Sequence, residues 1–382
     1  MKFSYVNATQ IQFGQQQILS IPSLISKDKK ILVIYGGGSI KNNGVYKQVF
    51  DALADYNWIE FSGVEPNPTA ETLNKAVTIA KENNIDFILA VGGGSVIDGA
   101  KYVAAAARYS GEGWDILTNK HTITDAIPIG AVLTLPATGS ESNQASVITM
   151  ASTKDKLAFL SPFVQPKFAI MDPDVMKSLP DRQIINGIVD SWVHICEQYI
   201  TYPCNAMVQD GYAEVLLKNL RFLSKNINNH NTDNWRSNLM WTANQALNGL
   251  IGAGVPQDWA THMLGHELTA LFGVDHARSL AIIQPSLLRN QIENKQNKLS
   301  QMGRNVFSLA EGADLALRTI DAIESFYRSL GVETQLTEYS GTKEEAIETI
   351  IAKLEKHHMT TLGENQNITL NDCRQILNNA IA

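Results

Sequence analysis

IDFILAVGGGSVIDGAK, Ile85 to Lys101, is the stretch that decides the fold. IDFILAV, 85–91, is apolar almost throughout, as a strand buried on both faces of a parallel sheet must be. Gly92-Gly93-Gly94-Ser95 follows at once, and then a helical pattern with Asp98, Lys101 and an alanine-rich run at 103–107. A turn straight after a buried strand lies at the carboxyl edge of the sheet, where open α/β folds bind ligands. Glycine lets backbone N–H groups approach a phosphate, and a following helix N-terminus favours its charge. Gly93, Gly94, Ser95 and Asp98 are therefore candidate cofactor-binding residues, with Asp98 also a candidate catalytic group. The bland alternative is a tight turn.

Outward from this unit the pattern repeats. ILVIY, 31–35, is a second buried strand and ends in Gly36-Gly37-Gly38-Ser39. Neither string matches GxGxxG or the P-loop. Further strands are expected at 3–14, 57–61, 128–136 and 168–173, with a helix capped by Thr69 and ending near Asn83. Strands alternating with helices predict a Rossmann-like parallel sheet with helices on its faces. After Leu179-Pro180 the strand signal vanishes. Helical patterns run through 181–200, 205–226, 235–251, 258–272, 277–293, 300–330, 343–357 and 371–380. The expectation is an α/β domain over 1–178 and an all-α domain over 179–382.

The first glycine string carries a coenzyme argument. In many NAD sites an acid receives the adenosine 2′-hydroxyl, and that acid would repel a 2′-phosphate. Gly36 to Gly44, GGGSIKNNG, has no acid and does have Ser39 and Lys41. If Gly37, Gly38 and Ser39 meet the ribose, NADP(H) fits better than NAD(H). Thr134 and Thr138, near the end of the 128–136 strand, either bond the cofactor or bond local backbone.

The helical half carries the metal argument. GIVDSWVHICEQY, 187–199, sets Asp190 and His194 four apart. DWATHMLGHELTALFGVDH, 258–276, sets His262 and His266 four apart, with His276 ten further on. Four residues is just over one helical turn, so each pair shares a face. One carboxylate and several imidazoles converging from two helices suit a divalent transition metal. Trp259, Leu250 and Ile251 are either core or the lining of a substrate pocket.

Composition sets the outer bounds. The formal charge is −7, with no basic block, which argues against nucleic acid or an anionic membrane as partner. Three cysteines without paired spacing indicate free thiols in a reducing compartment. The N-terminus lacks the basic start and apolar core of a signal peptide, and no apolar run reaches the roughly 20 residues of a membrane helix. A cytoplasmic protein is expected.

Together these pieces resemble the iron-containing (group III) alcohol dehydrogenase family. GGGSxxDxxK is Gly92 to Lys101, the TGSE turn is Thr138 to Glu141, and the DP element is Asp172-Pro173. D-x3-H-x2-E is Asp190, His194 and Glu197; H-x3-H-x9-H is His262, His266 and His276. The likeness spans nearly the whole chain and leans toward the NADPH-dependent butanol dehydrogenases and broad-range aldehyde reductases. It implies an active site between the two domains and Fe(II) or Zn(II) held by Asp190, His194, His262 and His276. His266 would lie near the nicotinamide and act as a proton relay, and Lys156 would reach the adenosine end. A short-chain aldehyde or primary alcohol is the implied substrate, and a homodimer the implied assembly, with the N-terminal strand available for pairing. A lyase of the dehydroquinate synthase type would need a Lys/Arg cluster near the metal motifs, which is missing. A metallohydrolase would leave the glycine turns unexplained.

Overall fold

The computed structural model describes all residues, Met1–Ala382. The strands are β1 (Gln10–Phe13), β2 (Lys30–Gly36), β3 (Asn57–Val64), β4 (Phe87–Gly92), β5 (Ile129–Leu133), β6 (Ala145–Met150), β7 (Asp155–Leu160) and β8 (Phe168–Met171). Six of them form one sheet in the order β1-β8-β5-β4-β2-β3, and every pair in it is parallel. β4 lies at the middle of the sheet beside β5, β2 lies between β4 and the edge strand β3, and both β2 and β4 run through consecutive covered residues, as their unbroken apolar sequences require. From β2 the chain turns to β3 on one side and then to β4 on the other. The carboxyl ends of β2 and β4 therefore flank the switch point of the sheet, and each ends in a glycine string.

The helices are α1 (Ile21–Leu24), α2 (Ser39–Asn42), α3 (Val45–Ala52), α4 (Ala70–Glu82), α5 (Gly94–Ala107), α6 (Trp114–Leu117), α7 (Asp181–Tyr199), α8 (Met207–Lys225), α9 (Asp233–Ala246), α10 (Ala260–Phe272), α11 (His276–Asn290), α12 (Ile292–Asn305), α13 (Leu315–Ser329), α14 (Lys343–Lys356) and α15 (Leu370–Ala380). Thr69 caps α4 by accepting the Thr72 N–H, as its position before the apolar pattern predicts.

Two compact units result. The sheet unit is Val6–Ile184 with Asn228–Asn244; the helical unit is Met1–Tyr5, Ile185–Ile227 and Gln245–Ala382. This departs from the simple 1–178 and 179–382 division, because most of α9 belongs with the sheet. Trp241 packs edge-on to Phe13, with 5.6 Å between ring centroids. Asn244 Nδ2 donates to Glu141 Oε1 at 2.8 Å and to Ser142 Oγ at 2.7 Å.

Other expectations are also corrected. Only Gln10–Phe13 of the 3–14 stretch is strand. The antiparallel hairpin β6–β7 lies where no strand was expected. The 300–330 pattern divides into α12 and α13, and two short strands, Thr361–Leu362 and Ile368–Thr369, interrupt the helical half. No helix is long and apolar enough to cross a membrane, and all three cysteines are free thiols.

Candidate active site: a glycine-edged sheet and an imidazole cluster

The two glycine strings share letters but not surroundings. A Cβ built on Gly92 would lie 2.5 Å from Val96, and one on Gly94 would lie 2.5 Å from Thr138. Those separations are too short for real atoms, so glycine is needed at Gly92 for the tight entry into α5 and at Gly94 for close approach of the β5 loop. At Gly37 and Gly38 a Cβ would meet nothing within 4 Å, and Gly38 takes φ 104° as the residue before α2. Ser39 is exposed. Lys41 Nζ sits 5.4 Å from the Tyr35 ring centre and 5.0 Å from that of Tyr46. Both phenols donate to Glu60 Oε2, at 2.8 and 3.0 Å. The nearby acid is thus engaged by two hydroxyls, and the open turn itself presents none.

Behind Gly94 lies a closed polar network. Asp98 accepts from Ser140 Oγ at 2.5 Å and from the Val147 N–H at 2.9 Å. Lys101, fully buried, donates to Ser140 Oγ, Asn143 Oδ1 and Ala145 O at 2.8, 3.0 and 2.7 Å. Burial pulls the Lys101 ammonium down to about 8, against the attraction of Asp98 and Glu141. Burial likewise pushes the Asp98 and Glu141 carboxyls up. Asp98, a candidate catalytic and cofactor-binding residue, sits inside this network. One of its oxygens holds Ser140 in the turn that follows β5 and the other holds Val147 on β6, so it ties that turn and the hairpin to α5. Thr138 is half-buried, and its Oγ1 accepts from the Ser140 N–H at 3.2 Å. Thr134 donates its backbone N–H to Gly92 O at 3.0 Å, tying the β5 loop to the end of β4. Lys156 is buried and donates to Asn67 Oδ1 at 2.8 Å.

In the helical unit the predicted ligands come together. α7 follows Pro180 and has Asp181 in its first turn, where a carboxylate offsets the helix dipole. It carries Asp190, His194 and Glu197 on one face, while α10 carries His262 and His266, and His276 opens α11. One ligand atom each from Asp190, His194 and His262 lie within 4.8 Å of one another. His276 Nε2 is 3.5 Å from Asp190 Oδ1, and His194 Nε2 is 3.8 Å from it. The His194 and His262 rings stack with centroids 4.7 Å apart. The His276 side chain is 25% exposed against 4–6% for Asp190, His194 and His262, so the cluster opens to solvent on one side. His266 is buried beside it, its ring 5.2 Å from His276 and 6.1 Å from His262.

These residues fit a divalent cation. Asp190 Oδ1 is buried with no hydrogen-bond partner, an arrangement that costs free energy unless a charge compensates it. One carboxylate oxygen with imidazole nitrogens suits Fe(II) or Zn(II).

Sequence reasoning under-read what surrounds the cluster. Glu197 Oε2 meets His262 Nδ1, and Glu197 Oε1 accepts the Thr261 N–H at 2.7 Å. Burial, reinforced by Asp258, pushes the Glu197 carboxyl well up. Asp258 pairs with buried Lys295 at 2.8 Å, and Lys295 also pairs with Glu364 at 2.9 Å. Trp259, next in the chain, is left-handed at φ 64°, a conformation of order 1–3 kcal/mol for a bulky residue. Asp258 holds both sides of it, donating its N–H to Glu197 O and accepting the Ala260 N–H. The indole is thereby set 5.3 Å from the His262 ring and 6.2 Å from that of His194. The clue in the sequence was the run of polar residues at buried positions, which periodicity alone does not interpret.

The chain thus combines a parallel sheet with glycine turns at its switch point and a helical unit that carries an Asp/His cluster. The comparisons make this specific. The iron-containing alcohol dehydrogenase model matches residues 8–173, and the C-terminal model of the Fe-containing alcohol dehydrogenase family matches 184–381. The chain belongs to the iron-containing alcohol dehydrogenase family and is an oxidoreductase. It is 49% identical to the NADPH-dependent aldehyde reductase YqhD of Escherichia coli over 98% of both chains. It is 40% identical to a probable NADH-dependent butanol dehydrogenase of Bacillus subtilis, again over 98% of both. The crystal structure of E. coli YqhD superposes with a TM-score of 0.97 at 48% identity, covering 99% of this chain and 98% of that one.

Proposed function

We propose that this chain is an NADP(H)-dependent, metal-dependent aldehyde reductase that also oxidises short-chain primary alcohols. The observation that carries the reading is the buried convergence of Asp190, His194 and His262, with His276 at its open side. These four residues would hold the cation, which when bound supplies Lewis-acid polarisation of a carbonyl oxygen, worth several kcal/mol. The nicotinamide coenzyme supplies the hydride chemistry. The chain's own residues bind and orient. Gly37, Gly38 and Ser39 leave room at the end of β2, where an acid would repel a 2′-phosphate. Gly93, Gly94 and Ser95 form the start of α5, whose N–H groups favour a pyrophosphate. Thr134, Thr138 and Lys156 complete this coenzyme set. Trp259 gives the cluster an apolar wall that favours alkyl aldehydes over charged substrates. His266, buried beside the cluster, carries a proton at a ring nitrogen for the product oxygen.

Relatives carry both coenzyme names, so the preference for NADP(H) rests on Ser39 and the acid-free turn. A homodimer accords with the outer edge of β1, which has no strand neighbour in the chain's own sheet; light scattering checks it, and a monomer would refute it. A cytoplasmic location accords with the free thiols.

The test is oxidation of NADPH with butyraldehyde, followed by absorbance, with and without a chelator. Turnover is expected to vanish with the metal. His276→Ala should lose bound metal and activity together. Full activity in a metal-free His276→Ala variant would refute the reading.

A further inference from the structure

We propose that Glu197 is the positioning residue of the metal centre: one carboxylate both caps α10 and fixes the His262 ring for cation binding. The inference rests on the metal-centre reading above and names a residue outside the proposed ligand set.

Glu197 lies one turn beyond His194 on α7 and is buried. Its Oε1 accepts the Thr261 N–H at 2.7 Å and approaches the His262 N–H at 3.4 Å. Those N–H groups belong to the first turn of α10, where helices leave donors without intrahelical partners. Trp259, the residue before the helix, supplies no side-chain cap. A carboxylate from another helix takes that place, and so ties α10 to α7. Its second oxygen meets His262 Nδ1. With Nδ1 engaged, Nε2 is the His262 nitrogen left for the cluster. A cation on Nε2 and a hydrogen on Nε2 exclude each other. A loaded centre therefore requires Nδ1–H and an accepting Oε2, the arrangement by which outer carboxylates orient ligand histidines.

The neighbouring charges are arranged to permit this. Left unpaired, the Asp258 carboxylate would repel a charged Glu197. That carboxylate is instead paired with Lys295, which is itself enclosed by Glu364 and Ile200 O.

Glu197→Gln separates the two tasks. The amide oxygen can still accept from Thr261, but the amide N–H₂ group then faces His262 Nδ1 and favours a hydrogen on Nε2. The metal-free variant should melt close to the metal-free wild type. Its dissociation constant for Zn(II), measured by competition with a chelating dye, should rise about 10- to 100-fold. Wild-type affinity in Glu197→Gln would overturn the inference. A second measurement needs no variant. Nitrogen-15 spectra of the zinc-loaded wild type should show His262 protonated on Nδ1 and metal-bound through Nε2; the reverse assignment would overturn it even if Glu197→Gln failed to fold. A wild-type chain that takes up neither Zn(II) nor Fe(II) would remove the metal-centre reading as well, whereas an unaffected Glu197→Gln beside a zinc-binding wild type removes this inference alone.

Discussion

Gly36-Gly37-Gly38-Ser39 and Gly92-Gly93-Gly94-Ser95 are the same four letters after the same kind of buried strand, yet they do different work. The second string is closed: side chains of Val96, Leu135 and Thr138 stand where a Cβ would go. The first is open at Gly37 and Gly38, and an exposed Ser39 follows. Identical glycine strings can thus be required by close packing in one place and be free of such contacts in another. What separates them is not the motif but the neighbouring loop.

That contrast can be broken by substitution. Lys101→Met should have the largest effect, about 3–5 kcal/mol of lost stability, because it strips a buried cation from Asp98, Ser140 and Asn143 behind the closed string. Denaturant unfolding measures it. Gly94→Ala should cost about 1–3 kcal/mol, since Thr138 must move; a neutral result would show that the β5 loop yields freely. Ser39→Asp acts on the open string and should spare stability, while shifting the NADPH-to-NADH ratio of kcat/KM toward NADH by about tenfold, or 1.4 kcal/mol. An unchanged ratio would move the adenosine end elsewhere. Gly37→Ala should be smallest in stability, within about 0.5 kcal/mol, and a large loss there would erase the distinction between the strings.

The strands β2 and β4 and the helices that carry the Asp/His cluster were legible because their signals are local. An unbroken apolar run marks β2 or β4, and an i, i+4 pair marks Asp190 and His194 or His262 and His266. The β6–β7 hairpin was not legible, since its polar residues at 149–156 mask the alternation and its burial comes from α5. The surroundings of Asp98 were not legible for a related reason. A motif names the residue, but only the fold reveals that Ser140 and Val147 use both its oxygens. Glu197 was visible as a letter of the D-x3-H-x2-E element. Its bond to a helix more than sixty residues later in the chain was not. Nor does the amphipathic pattern of α9 state which hydrophobic core it joins.

The membership of α9 in the sheet unit bears on protein dissection. A gene fragment stopped at residue 178 or 184 would lack Asn244, leaving the buried carboxyl of Glu141 without its amide donor. Chimaeras that exchange coenzyme-binding modules between relatives must therefore splice twice, carrying residues 228–244 along with the first segment rather than joining at one seam.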